Sequence, residues 1–181
     1  YKKEKRQLPD EQKYAILSLL SILHGKETPV LIQFEGRTHT MTANDIRNIA
    51  LLGHGGSGKT SLAEHMLFMT KGSDRLGKTA DGNTVCDYDP EEIKRQISIS
   101  LAFAPVMYKN VKINVMDAPG NFDFAGEALC AVRAAECAVL VGAAKDGLSV
   151  GMERNWKMLG KKPRMIFINR TEEDNSDYPS C

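Results

Sequence analysis

No apolar run in this chain is long enough to cross a bilayer: the longest, Tyr14 to Leu23, reaches about half of the roughly 20 residues required. Cysteine is scarce, and the four present, Cys86, Cys130, Cys137 and Cys181, include no C-x-x-C pair; the four histidines, His24, His39, His54 and His65, show no ligand spacing. These absences exclude a disulfide framework and a structural zinc site, and they leave reduced structural thiols, as expected of a cytoplasmic protein. The spacing of seven between Cys130 and Cys137 is compatible with one face of a helix, and core packing accounts for it without metal or redox chemistry. A dominant charge sign is also missing. With 24 Lys+Arg against 23 Asp+Glu, the net charge of +1 creates no global field toward nucleic acid or an anionic membrane, so neither a membrane nor direct DNA binding is expected. What remains is an ordinary globular composition, 42% hydrophobic and 26% charged over 181 residues, a length that buries roughly 70% of the unfolded surface without staples.

Residues 1–44 read as a unit of their own. Tyr1 to Leu23 has the basic start of a signal peptide, but Asp10 and Glu11 interrupt it and no small-x-small site follows, so an amphipathic helix from Pro9 to His24 is favoured. A hairpin is expected from Val30 to Phe34 and Arg37 to Thr42 around Glu35-Gly36. From Ile46 onward, strands alternate with helices, which predicts an α/β fold, a mostly parallel sheet with helices on both faces. Strands are expected at Ile46 to Leu52, Ser98 to Met107, Val111 to Met116, Cys137 to Ala143 and Arg164 to Ile168. Helices are expected at Ser61 to Thr70, Ala125 to Ala135 and Val150 to Leu159. Lys71 to Glu92, polar and rich in Gly, Asp and Asn, reads as a long mobile connection.

Gly53-His54-Gly55-Gly56-Ser57-Gly58-Lys59-Thr60 matches G-x-x-x-x-G-K-[ST] and falls between a predicted strand and a predicted helix, as a phosphate loop requires. Glycines let successive N–H groups turn inward on phosphate oxygens, and the helix N-terminus adds its partial positive charge. This makes His54, Gly55, Gly56, Ser57, Gly58, Lys59, Thr60 and Ser61 the candidate nucleotide-binding residues, with Lys59 reaching the β- and γ-phosphates and the Thr60 hydroxyl ligating Mg2+. Asp117-Ala118-Pro119-Gly120 follows a predicted buried strand. Its carboxylate is placed to hold the same metal through water, and the Gly120 N–H to meet the γ-phosphate.

These phrases, together with Asp-Tyr-Asp-Pro-Glu-Glu-Ile-Lys-Arg at 87–95 and Asp-Ala-Pro-Gly-Asn-Phe-Asp-Phe at 117–124, resemble translational GTPases, most closely the nucleotide-binding domain of elongation factor G and its paralogues. The resemblance runs from Asp45 to about Tyr178 and implies a P-loop GTPase fold over a partial GTP-binding domain, residues 45–181, with GTP/GDP and Mg2+ as cofactors. It implies a ribosome partner only in the context of a full-length factor. Met41 lies just before the resemblance begins and is a candidate original start, and the chain is expected to be either a fragment of a longer factor or a truncated stand-alone protein.

Departures from the family pattern carry their own implications. Ser98 stands where the family has a magnesium-binding threonine, and it keeps the hydroxyl. Gln96 replaces a glycine, which conflicts with any positive φ needed there. Asn121 replaces the histidine that positions the attacking water; it orients water but takes no proton near neutral pH. Lys59 and Asn121 are thus the candidate catalytic residues. In the guanine-reading N-K-x-D position the chain has Asn169-Arg170-Thr171-Glu172, so Asn169 is kept while Glu172 carries its carboxylate one methylene farther out. The leading expectation is slow GTP hydrolysis. The alternatives are a P-loop nucleotide hydrolase without base selectivity and a nucleotide-binding interaction module that does not hydrolyse.

Overall fold

A computed structural model describes residues 29–34, 37–174 and 176, so the helix expected at Pro9 to His24 and the turn at Glu35-Gly36 lie outside the described residues. Two short strands, β1 (Pro29–Phe34) and β2 (Arg37–Thr42), pair antiparallel as a hairpin. The chain then enters β3 (Ile46–Leu52) through a 3-10 turn, whose capping box pairs the Thr42 side chain with the Asn44 N–H and the Asp45 carboxylate with the Thr42 N–H.

The second half of β3, Ile49-Ala50-Leu51-Leu52, is an unbroken apolar run. Such a run fits a strand covered on both faces, and all four residues are buried. β3 takes the middle of a five-stranded sheet in the order β4-β5-β3-β6-β7. The partners are β4 (Ala102–Tyr108), β5 (Val111–Asp117), β6 (Cys137–Ala143) and β7 (Arg164–Asn169). All neighbours are parallel except β4, which pairs antiparallel with β5. The period of two along β3 divides the core. Ile49 and Leu51 pack with Leu62, Ala63, Met66 and Leu67 of α1 (Lys59–Met69). Ala50 and Leu52 pack on the other face with Ala128, Ala131 and Val132 of α3 (Ala125–Ala134) and with Leu159 of α4 (Val150–Leu159). The α/β architecture expected from the alternating pattern, a mostly parallel sheet with helices on both faces, is the one observed. No described helix is long and apolar enough to cross a membrane.

Two local expectations are corrected, and one spacing is resolved. Cys130 and Cys137 do not share a helix: α3 ends at Ala134, Ala135 turns extended, and Cys137 opens β6. The segment Lys71 to Glu92 is not a free connection, because Thr84, Cys86, Asp87 and Glu92 are buried, and it contains the start of α2 (Pro90–Arg95). That helix has a readable start, with Asp89 as N-cap, Pro90 at N1 and Glu92 at N3 completing a capping box. Finally, Ser98 precedes the strand, which begins only at Ala102. The Glu92 carboxylate accepts the Ile99 and Ser100 N–H groups at 2.9 and 3.0 Å, so those donors are unavailable to a ladder.

Gln96 resolves the conflict noted above by adopting the left-handed conformation itself, φ 55° and ψ 38°, at the C-cap of α2. A non-glycine residue there carries a cost of roughly 1–2 kcal/mol, partly offset in a glycine variant by its looser unfolded chain. Gln96→Gly is therefore expected to stabilise the fold by about 0.5–1 kcal/mol, read from the urea midpoint at unchanged slope.

Candidate nucleotide and metal site

Parallel strands deliver their C-terminal ends to one edge of the sheet, and ligands of open α/β sheets bind there. At this edge Leu52 leads into the phosphate loop and Asp117 closes β5 beside it. A cleft of about 210 Å³ opens over the N-terminus of α1, lined by Gly55, Gly56, Gly58, Lys59, Thr60, Ser61, Ser98, Gly120 and Asn121 among the expected residues. It is also lined by Thr79, Asp87, Gln96, Ile97 and Arg170.

Close approach dictates the glycines at two points. Gly58, with φ 98°, starts α1 in the left-handed region, and a Cβ on it would collide with Asn169 Nδ2. A Cβ on Gly120 would stand 2.5 Å from the Gly55 nitrogen and 2.6 Å from Lys59 Nζ. The loop after β5 thus sits directly on the phosphate loop.

Lys59 is only 5% exposed, and its ammonium donates to the His54 carbonyl at 2.9 Å. Burial holds its pKa below the ordinary lysine value, with the neighbouring Asp117 and Asp87 opposing. His54 itself is exposed, its ring tilted against Phe122 at 6.4 Å, so its part in the loop is played by its backbone. Ser57 is likewise a backbone contributor. Its hydroxyl is buried without a partner, while its carbonyl accepts Asn169 Nδ2 at 3.0 Å, bracing the loop from the end of β7.

Around Thr60 the polar groups form a chain. Its hydroxyl donates to Asp117 Oδ2 at 2.6 Å and lies 3.1 Å from Ser98 Oγ; with its single proton spent on Asp117, Thr60 receives the bond from Ser98. Asp117 is fully buried and Oδ1 has no partner. Desolvation pushes its pKa up to about 7, against the pull of Lys59 and Thr60. Asp87, which the sequence pattern did not single out, is buried with neither oxygen receiving a donor in bonding geometry. Its pKa is also raised, first by burial, and is softened by nearby Ser98.

Two carboxylates with unpartnered oxygens and two hydroxyls form a hard, all-oxygen corner, the donor chemistry that suits Mg2+. No group of three or more His, Cys, Asp or Glu among the described residues could hold a metal by itself. Phosphate oxygens and water are the natural remaining ligands of such a site. Asp117, Asp87, Thr60 and Ser98 therefore fit a metal that arrives with a phosphorylated ligand.

The base side is less complete. Arg170, at φ 59°, lines the cleft and donates to Glu173 at 3.0 Å, while Lys145 pairs with the other oxygen of Glu173 at 2.9 Å. These partners hold the Glu173 carboxyl below the usual range. Glu172 is exposed and is not among the cleft residues.

Residues 44–179 match the family model described as the elongation factor Tu GTP binding domain. An elongation factor G-like protein of Mycobacterium tuberculosis is 37% identical over 149 residues, 80% of this chain and 21% of that protein. The mitochondrial ribosome-releasing factor 2 of Lodderomyces elongisporus is 35% identical over 144 residues, 76% of this chain and 17% of its own length. Among solved structures, a protein from Thermus thermophilus superposes with a TM-score of 0.72 at 36% identity, covering 75% of this chain and 21% of that one. The chain spans about a fifth of the length of the curated relatives it matches.

Proposed function

Because the chain belongs to the elongation factor Tu GTP-binding domain family, we propose that its cleft takes a magnesium-bound guanine nucleotide, GTP or GDP, and hydrolyses GTP slowly. The observation that carries this reading is the convergence at the start of α1 of a buried ammonium, Lys59, with the unpartnered oxygens of Asp117 and Asp87. In this reading the backbone N–H groups of residues 55–60 cradle the phosphates, and Lys59 adds a point charge. Thr60 and Ser98 would hold Mg2+ directly and Asp117 through water. Magnesium held by these residues would supply positive charge to neutralise that of the nucleotide's phosphates. Asn121, on the cleft wall beside Gly55, is the candidate to orient water. Names of relatives place them in translation, and by extension a ribosome is the partner proposed for the full-length context.

A second reading has a specific observation behind it: the exposure of Glu172 outside the cleft favours a nucleotide hydrolase with little base selectivity. Competition of GTP, GDP and ATP against a fluorescent nucleotide, with and without magnesium, separates the two. We expect GTP to be preferred over ATP by less than about a thousandfold, since a misplaced carboxylate forfeits part of a discrimination that paired hydrogen bonds otherwise raise to about 10⁴–10⁵. Equal affinities would establish the second reading. Single-turnover phosphate release is expected at about 10⁻⁴ to 10⁻² per second, the range of G domains without a partner; a rate above about one per second would overturn slow hydrolysis.

A further inference from the structure

Residues 85–100 contribute two of the four side chains at the metal corner, Asp87 and Ser98, yet between them lie only the short helix α2 and irregular backbone. Apolar anchoring is thin: Cys86 reaches the core, but Val85, Tyr88 and Ile93 are exposed. What holds the segment is a pair of buried carboxylates. Glu64 of α1 is 0% exposed, and its Oε1 accepts the N–H groups of Val85 and Cys86 at 2.7 and 3.0 Å, immediately before Asp87. Glu92 is 2% exposed, and its Oε1 accepts the N–H groups of Ile99 and Ser100, immediately after Ser98. Its second oxygen accepts the Asp89 N–H at 3.2 Å. The chain also wraps Glu64 from the other side, where a Cβ on Gly77 would collide with Oε2.

We propose that Glu64 and Glu92 are positioning residues of the metal site, each gripping two successive amides so that Asp87 and Ser98 are held beside Thr60 and Asp117. The inference rests on the magnesium-nucleotide reading above. Bonds from backbone N–H to a carboxylate are stronger than neutral ones, and here they substitute for a sheet ladder. Glu64 lies one helical turn after Thr60, on the face that i and i+4 residues share. A single helix thus carries both a metal-side hydroxyl and the grip on the segment that completes the site. A carboxylate serving only global stability would affect melting without singling out magnesium.

Two measurements on the 181-residue chain test this. Lys94 and Arg95 are exposed within the segment, so trypsin reports its local opening. Glu64→Ala and Glu92→Ala are each expected to accelerate cleavage there about tenfold relative to other sites. They should also raise by about tenfold the magnesium concentration that half-maximally slows release of a fluorescent GDP, as loss of a supporting partner does at metal sites, with a smaller change in metal-free affinity. Glu64→Gln keeps an oxygen that accepts both amides and should restore most of the response. Where an alanine variant melts below the assay temperature, Glu64→Asp or Glu92→Asp, which keeps the charge but withdraws the carboxylate by one methylene from both amides, takes its place with the same expectation. An unchanged magnesium response, or equal losses with and without magnesium, would overturn the proposal. If the parent chain binds no nucleotide, the functional reading fails separately and proteolysis decides alone: unchanged cleavage at Lys94 and Arg95 overturns the grip, and acceleration supports it.

Discussion

Lys59→Ala is expected to lower nucleotide affinity at least about tenfold, because each charge-assisted bond it makes to a phosphate contributes roughly 1.5–3 kcal/mol. The side chain has nowhere else to go. It is buried at the floor of the cleft, tied to the His54 carbonyl, with Gly120 pressed against its ammonium. No other lysine is among the described cleft residues, and the remaining cation there, Arg170, is paired with Glu173. The unpartnered carboxylate oxygens of Asp117 and Asp87 would then face the phosphates with no cation between, so the loss should be deeper without magnesium than with it. Titration with a fluorescent nucleotide in both conditions checks this, and unchanged affinity in both would remove Lys59 from the site.

Asp117→Asn should separate the metal from the fold. The variant keeps an oxygen for the Thr60 hydroxyl, so the 2.6 Å bond survives, while the buried charge that raises the pKa to about 7 disappears. An unsatisfied buried polar group costs about 1–3 kcal/mol, more if charged, so the metal-free variant should melt higher than the parent at neutral pH. With magnesium and GDP present the order should reverse, since the carboxylate proposed to hold the ion is gone and ligand-linked stabilisation shrinks with affinity. Thermal melts in the two conditions give both signs at once. A variant that melts lower without metal and still gains the parent's full increment with magnesium would show that Asp117 acts as packing alone.

The strands and helices of the sheet were legible because their signals are local. The apolar run at Ile49 to Leu52, the glycines of 53–58 and the periodic apolar positions of α1 each imply one conformation. Cys137–Ala143 and Val150–Leu159 were read to the residue. The glycine-rich loop between β3 and α1 was legible for the same reason, since eight consecutive residues contain it. The segment from Lys71 to Leu101 was not. Its order comes from Glu64, whose carboxylate reaches residues 21 and 22 positions downstream, and a glutamate in a helix carries no sign that its partner is distant backbone. Asp87 went unassigned for a related reason: its importance lies in what its oxygens lack. The capping box at Asp89 to Glu92 was readable, but the surrounding polar composition masked it.

The Asn169 side chain that braces Ser57 lies 112 positions downstream of it, and this orders events during synthesis. β3 waits for β5 and β6 before it has a neighbour on either side, and such long closures slow the search for the native state. The loop that would grip phosphate is made early and acquires its last support only with β7. A nascent chain halted before residue 169 therefore displays every letter of the phosphate motif without the brace that holds it in shape.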